Sequence, residues 1–169
     1  MSTTAAAAPP PMVAQLLQTF GMEHKTTTKV LQALPGDKLD FKPHERSWTA
    51  GELAWHIAAS QLGIAKVLAA ASFEAYQQLP TPSTLDEILA GDAKYYEEAC
   101  QILSGLTQEH LARSIPLPNG HSMPVAGFAW AGVVFHQIHH RGQLSVYIRM
   151  MGGKVPSIYG PSGDDNPFA

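Results

Sequence analysis

Apolar residues recur every third or fourth position over four long stretches of the chain, the period of a helix with one buried face. The first stretch runs from about Met12 to Leu34. Val13, Leu16, Leu17, Phe20, Val30, Leu31 and Leu34 form its stripe, and Thr26-Thr27-Thr28 lowers helix propensity at its centre. Pro35-Gly36-Asp37 ends it, and residues 39–46 read as a loop around Pro43. The second helix starts at Ser47 or Thr49, with Glu52 placed to complete a capping box on Thr49. It continues through Leu53, His56, Ile57, Ser60, Ile64, Val67 and Leu68 to about Ala71, so two polar residues, His56 and Ser60, interrupt its stripe. A third helix is predicted from about Thr84 to Leu106, with Leu85, Ile88, Leu89, Tyr95, Tyr96, Ala99, Ile102 and Leu103 facing the core. Thr107 to Arg113 reads as a short helical turn. The last helix runs from about Val125 to Met151 and stops at Gly152-Gly153.

Between the third and last helices, Ser114 to Pro124 contains Asn119-Gly120, a tight-turn signal, and its prolines keep any ladder short. These elements predict an all-α four-helix bundle with a short connector and a small β-hairpin. Residues 1–11 are expected to be a flexible tail, 12–169 a single bundle domain, and Val155 to Ala169 an extended ending.

Composition narrows the function. The chain has 45% hydrophobic and 15% charged residues and a formal net charge of -3, with no Lys/Arg run. The electrostatic footprint of a nucleic-acid binder is therefore missing. Cys100 is the single cysteine, which excludes an internal disulfide and a cysteine-rich zinc site and suits a reducing cytoplasm. The beginning of the chain has no basic segment followed by an apolar run, and no stretch reaches the eighteen or so charge-free apolar residues of a membrane span. A cytoplasmic protein without membrane or nucleic-acid partners is expected.

The chemistry concentrates in His136-Gln137-Ile138-His139-His140-Arg141-Gly142-Gln143. Residues four apart share a helix face, so His136 and His140 can offer two imidazoles to one metal ion, and His56 on the second helix can offer a third. Eight histidines would give such a spacing by chance in roughly a third of random chains, so the pair alone decides little. The stripe carries more weight. Ala129, Val133, His136, His140, Leu144, Tyr147 and Met151 fall on one line, so both histidines interrupt a core face, and an unpaired polar group there costs about 1–3 kcal/mol. His139 competes with His140, since Phe128, Gly132, Phe135, His139 and Val146 form an apolar line too; periodicity does not choose between them. His24, His44, His110 and His121 lie in helix flanks or loops without partners at useful spacing.

Trp48 ahead of His56, His136-x-x-x-His140-Arg141-Gly142-Gln143, Tyr147-x-Arg149 and Val155-Pro156 together resemble the DinB family of metal-dependent proteins. The resemblance follows the chain in order from the first helix to the tail, and 136–156 is its most specific part. It implies a four-helix bundle, often dimeric, in which His56, His136 and His140 hold a divalent metal ion, zinc or nickel, with His139 as a neighbour. It further implies a metal-dependent thiol S-transferase acting with a small-molecule substrate and a low-molecular-weight thiol. A metal-dependent hydrolase, or a non-catalytic metal or small-molecule binding protein, is the alternative. A metal-free bundle whose histidines are core residues bonded to backbone is the third reading.

Three imidazoles without a carboxylate favour zinc, nickel, copper or iron over magnesium or calcium. Glu52 serves either as a helix cap or as an acceptor orienting His56. Gln143 either supports His140 or faces solvent. Arg141 and Arg149 read as structural or surface ion-pair residues, Trp48, Trp55 and Trp130 as packing, and Cys100 as a poor nucleophile without a basic neighbour.

Overall fold

A computed structural model describes residues 8–117 and 119–169. Much of the expected tail over residues 1–11 lies outside the described residues. Helix α1 (Pro11–Gln32) opens with Pro11 at a position whose N–H has no helical partner in any case. Helix α2 (Ala50–Ala70) opens on the expected capping box: the Thr49 side chain accepts from Glu52 N–H at 3.1 Å, and Glu52 accepts from Thr49 N–H at 2.7 Å. Helix α3 (Leu85–Ser104) repeats the device with Thr84 and Glu87. The short α4 (Gln108–Ala112) uses it with an imidazole, His110 Nδ1 accepting from Thr107 N–H at 3.2 Å. That gives His110 a capping role the sequence reading did not assign.

The expected hairpin is present as β1 (Ser114–Pro116) and β2 (Ser122–Pro124), antiparallel, with Ile115 opposite Met123. Helix α5 (Val125–Ala129), a π-helical segment (Trp130–Phe135) and α6 (His136–Met150) then run on as one rod. The sequence predicts one uninterrupted α-helix here, and the wider turn is the difference. Its cause lies in the spacing of the buried residues. Val125, Ala129, Val133, Gln137 and Arg141 are all buried and each is four residues from the next. Repeated steps of four outrun a turn of about 3.6 residues, and the π turn takes up the surplus. The rod ends at Gly152, whose φ of 80° suits a residue without a Cβ, and Lys38 Nζ donates to the freed Met151 carbonyl at 2.8 Å.

Helix α2 is the hub. It is long and apolar enough by composition to cross a bilayer, but 72% of its most apolar window is buried inside the protein, as in a core helix. It packs closely on α3 because Gly91 admits the Trp55 ring; a Cβ there would stand 2.4 Å from Trp55 Cζ3.

The core falls into two apolar halves. One gathers Val13, Leu16, Phe20, Ile64, Leu68, Ala99, Leu103, Ile115, Val125 and Val133. The other gathers Val30, Leu31, Leu53, Ile57, Ile88, Leu144, Ile148 and Met151. On each long helix the switch between halves falls at polar residues: His24 and Thr27 on α1, Ser60 and Gln61 on α2, Asp92 on α3, His136, Gln137 and Arg141 on α6. A polar layer thus crosses the bundle at mid-height, and it contains the candidate site.

The C-terminal stretch is not a loose ending. Asp164 accepts from Val155 N–H at 2.9 Å and pairs with Arg149 at 2.6 Å, while Asp165 accepts from Ser157 N–H at 2.8 Å. Tyr159 donates to Glu23 at 2.6 Å and sits over Arg141, tying this stretch to α1 and α6.

Candidate metal centre

The second helix delivers His56 and Ser60, one turn apart; α6 delivers His136 and His140 at its first two turns. One ring nitrogen from each of His56, His136 and His140 lies within 4.8 Å of the other two, and the Nε2 atoms of His56 and His136 are 3.0 Å apart. His139 is not among the three; it is exposed and flanks His140 with ring centroids 4.8 Å apart.

The faces of α6 differ from expectation. The buried line runs Val133, Gln137, Arg141, Leu144 and Ile148. His136 and His140 sit at its edge, half-buried, where the bundle opens to solvent. The rival line is largely the outer face, with Phe135 59% and Val146 57% exposed. The error traces to treating the rod as a plain α-helix, because the π turn shifts which residues point inward.

Outer contacts orient two of the rings. His140 Nδ1 is 2.8 Å from Gln143 Oε1, an acceptor only, so Nδ1 carries the proton and Nε2 keeps its lone pair. Ser60 Oγ donates to the Ile57 carbonyl at 3.2 Å and faces His136 Nδ1 at 3.4 Å, the arrangement that leaves His136 Nε2 free. Gln143 therefore supports His140, one of its two anticipated roles, and Ser60 acquires a purpose beyond interrupting a stripe. Glu52 acts as the cap.

Burial keeps these rings neutral. Desolvation, with the neighbouring His140, holds His56 down to about 4. Desolvation, with His140, His56 and His139, takes His136 down to about 3. Burial and His139 lower His140, while Gln143 opposes them. Neutral imidazoles are the form that ligates metal. Two nitrogens bound to one tetrahedral zinc at about 2.0–2.1 Å stand roughly 3.3 Å apart, so the His56–His136 spacing is close to what shared ligation needs. A direct imidazole–imidazole hydrogen bond also fits 3.0 Å, but it would give His140 no part.

Three cavities converge on this trio, and Trp48 lines all of them. One, of about 400 Å³, holds Glu52, His56, Gln77 and Gln78. A second, of about 420 Å³, holds Arg46, His140, Gln143 and Tyr147. The third, of about 500 Å³, opens beside His56 and His136 towards the π segment. Trp48 is 46% exposed, with its ring 4.7 Å from that of His56, so it borders ligand space rather than core. Trp55 is a packing residue, its indole donating to the Leu79 carbonyl at 3.1 Å.

Arg141 and Arg149 are the ion-pair residues the sequence predicts. Arg141 is buried, 1% exposed, with its guanidinium on Glu23 at 2.8 Å and on Thr27; Arg149 pairs with Asp164. Arg46 is the arginine beside the trio. Burial raises the Cys100 thiol, in keeping with a poor nucleophile.

Across the bundle a second polar group was missed. His24 stacks on Tyr96 with centroids 3.8 Å apart and lies 3.8 Å from Asp92. Asp92 accepts from Gln61 at 2.7 Å and from Thr28 at 2.9 Å. The available signal was Asp92 itself, four residues after Ile88 on an otherwise apolar stripe.

A four-helix bundle with a mid-height histidine trio open to solvent space defines a class, and comparison gives that class its family. The DinB family pattern matches residues 1–166. The chain is 32% identical over 140 residues to YjoA of Bacillus subtilis strain 168, covering 82% of this chain and 90% of YjoA. The crystal structure of that DinB-like protein superimposes with a TM-score of 0.69 at 28% identity, covering 83% of this chain and 93% of the other. A DinB-like protein from Bacillus cereus ATCC 10987 gives a TM-score of 0.70 at 28% identity, over 86% of this chain and 97% of the other. The chain belongs to the DinB family.

Proposed function

We propose that His56, His136 and His140 hold a divalent metal ion, zinc or nickel, and that the protein is a metal-dependent thiol S-transferase. The observation that carries this is the convergence of three neutral imidazoles, two with their outer nitrogens already engaged, at a point where three cavities meet. When bound, such an ion supplies Lewis acidity and favours the thiolate form of a ligand in its open position. Ser60 and Gln143 hold the rings in the ligating tautomer. Arg46 can receive an anionic group of a low-molecular-weight thiol beside His140. Trp48 offers its exposed ring face to the substrate body.

Glu52 is poorly suited to serve as a general base for the alternative hydrolase reading. It is the carboxylate nearest the trio along these cavities, yet hydrogen bonds from Thr49 hold it below the usual carboxylate range. A carboxylate so held is a weak base for activating water. The reading carries with it a cytoplasmic location and a homodimer, for which the exposed Phe135, Val146 and Met150 of one helical rod offer a face.

The test is elemental analysis of protein purified without chelator, alongside His56→Ala, His136→Ala, His140→Ala and His139→Ala. One zinc or nickel per chain, lost in the first three variants and kept in the fourth, is expected. A thiol-dependent change in the visible spectrum of the cobalt-substituted protein would then identify the ligand in the open position. No metal after reloading ends the reading.

A further inference from the structure

The three cavities around the trio differ in charge. Glu52 lines the first, Arg46 the second, and among the described residues no Asp, Glu, Lys or Arg lines the third. That third cavity is bounded by Ile64 of α2, by Phe73 and Tyr76 of the segment that follows it, and by Phe128 and Ala131 of the last rod. Phe73 and Phe128 meet edge to face at 5.3 Å in its wall. Burial raises the Tyr76 hydroxyl, so it stays neutral in the wall. His56 and His136 line the cavity as well.

Gln78 and Trp48 also line it, so the cavity is uncharged and mostly apolar, with neutral polar groups at Gln78, Tyr76 and the histidines, and it suits an amphipathic molecule. We propose that this cavity receives the uncharged alkyl or aryl body of the substrate, whose reactive head lies at the histidines. The inference rests on the metal-centre reading for the head and on the cavity alone for the body. It divides the labour at the site: charged groups of a thiol partner face Arg46, and the apolar body of the second substrate faces Phe73 and Phe128. A body bearing a carboxylate or ammonium would have to be desolvated there without a partner.

The test is calorimetric titration of the zinc-loaded protein with two series from two to six carbons, the n-alkanethiols and the n-alkanols. Each methylene buried should raise affinity about fourfold, in both series. Adding a terminal carboxylate to the longest thiol should erase that gain. Ala131→Leu, at a position exposed on the cavity wall, should flatten the dependence on chain length in both series. Affinity independent of chain length in both series, or a length dependence unaltered in Ala131→Leu, overturns the proposal. The metal reading fails separately: thiols that gain nothing over alkanols, with the chain-length gain intact in both, would leave the apolar cavity standing and remove the metal from the head position.

Discussion

The polar layer holds two groups centred on histidine, one drawn from α1, α2 and α3 and the other from α2 and α6, and they meet different surroundings. On one side, His24 lies against Asp92, Thr28 and Tyr96, and Asp92 is itself bonded by Gln61 and Thr28. Nearby, Arg141 is closed off by Glu23, Thr27 and Tyr159. These contacts are internal. On the other side, His56, His136 and His140 have no carboxylate among them and turn their free nitrogens towards one point beside open cavities. A buried polar group that finds partners within the protein stabilises the alignment of helices, whereas a group left with a directed lone pair is available to a ligand. The carboxylate marks the difference: Asp92 and Glu23 lie on one side, and among the described residues nothing equivalent closes the other.

That contrast can be broken at its strongest point. His136→Ala should remove bound metal, lowering zinc affinity by at least about a hundredfold, with little loss of stability in the metal-free protein. Chelator competition and thermal melts would check the two halves of this statement. On the internal side, Arg141→Ala leaves Glu23 with only the Tyr159 hydroxyl and should cost about 3 kcal/mol in urea unfolding, while the refolded protein keeps its metal stoichiometry. Asp92→Asn retains shape but loses one acceptor, and about 1–2 kcal/mol of stability is expected to go with it. Zinc affinity should be unmoved. If Asp92→Asn instead strips the metal, the two groups are one site and the comparison fails. Gln143→Ala and Ser60→Ala act only through ring orientation, so each should weaken metal binding about tenfold without removing it.

A last effect is in pH. The folded-state values of His56 and His136, about 4 and about 3, lie below the unfolded value of 6.5. The unfolded chain therefore takes up protons first, and the stabilisation present above pH 6.5 is lost as pH falls towards 4 and 3. Melting temperatures of the metal-free protein should decline through that window. The decline should be shallower in His136→Ala.

The bundle was legible because its helices announce themselves twice, by an apolar period and by caps such as Thr49 with Glu52 and Thr84 with Glu87. The trio was legible in part: the i,i+4 spacing of His136 and His140 and the polar break at His56 pointed to it, and the family resemblance, not the stripe, chose His140 over His139. What escaped depended on contacts between distant segments. Asp92 gains meaning only when α1 brings His24 to it, and Arg141 only when the tail returns Tyr159 across 18 residues. Trp48 looks like packing until Arg46 and Gln78 are seen to border the same space. The phase of α6 escaped because a π turn leaves no pattern in a scheme that assumes a constant helical period.

The π turn also separates two properties of the gene product that a plain helix would bind together. It stores one residue beyond what the flanking helices need to keep their buried faces. Removal of a single codon between 131 and 134 can be absorbed by relaxation to an ordinary α-helix, leaving the seating of His136 and His140 intact while redrawing the wall next to Phe128. The spare residue makes the apolar cavity editable by the smallest in-frame deletion, so lineages descended from such a chain could reshape its wall without rebuilding the histidine trio.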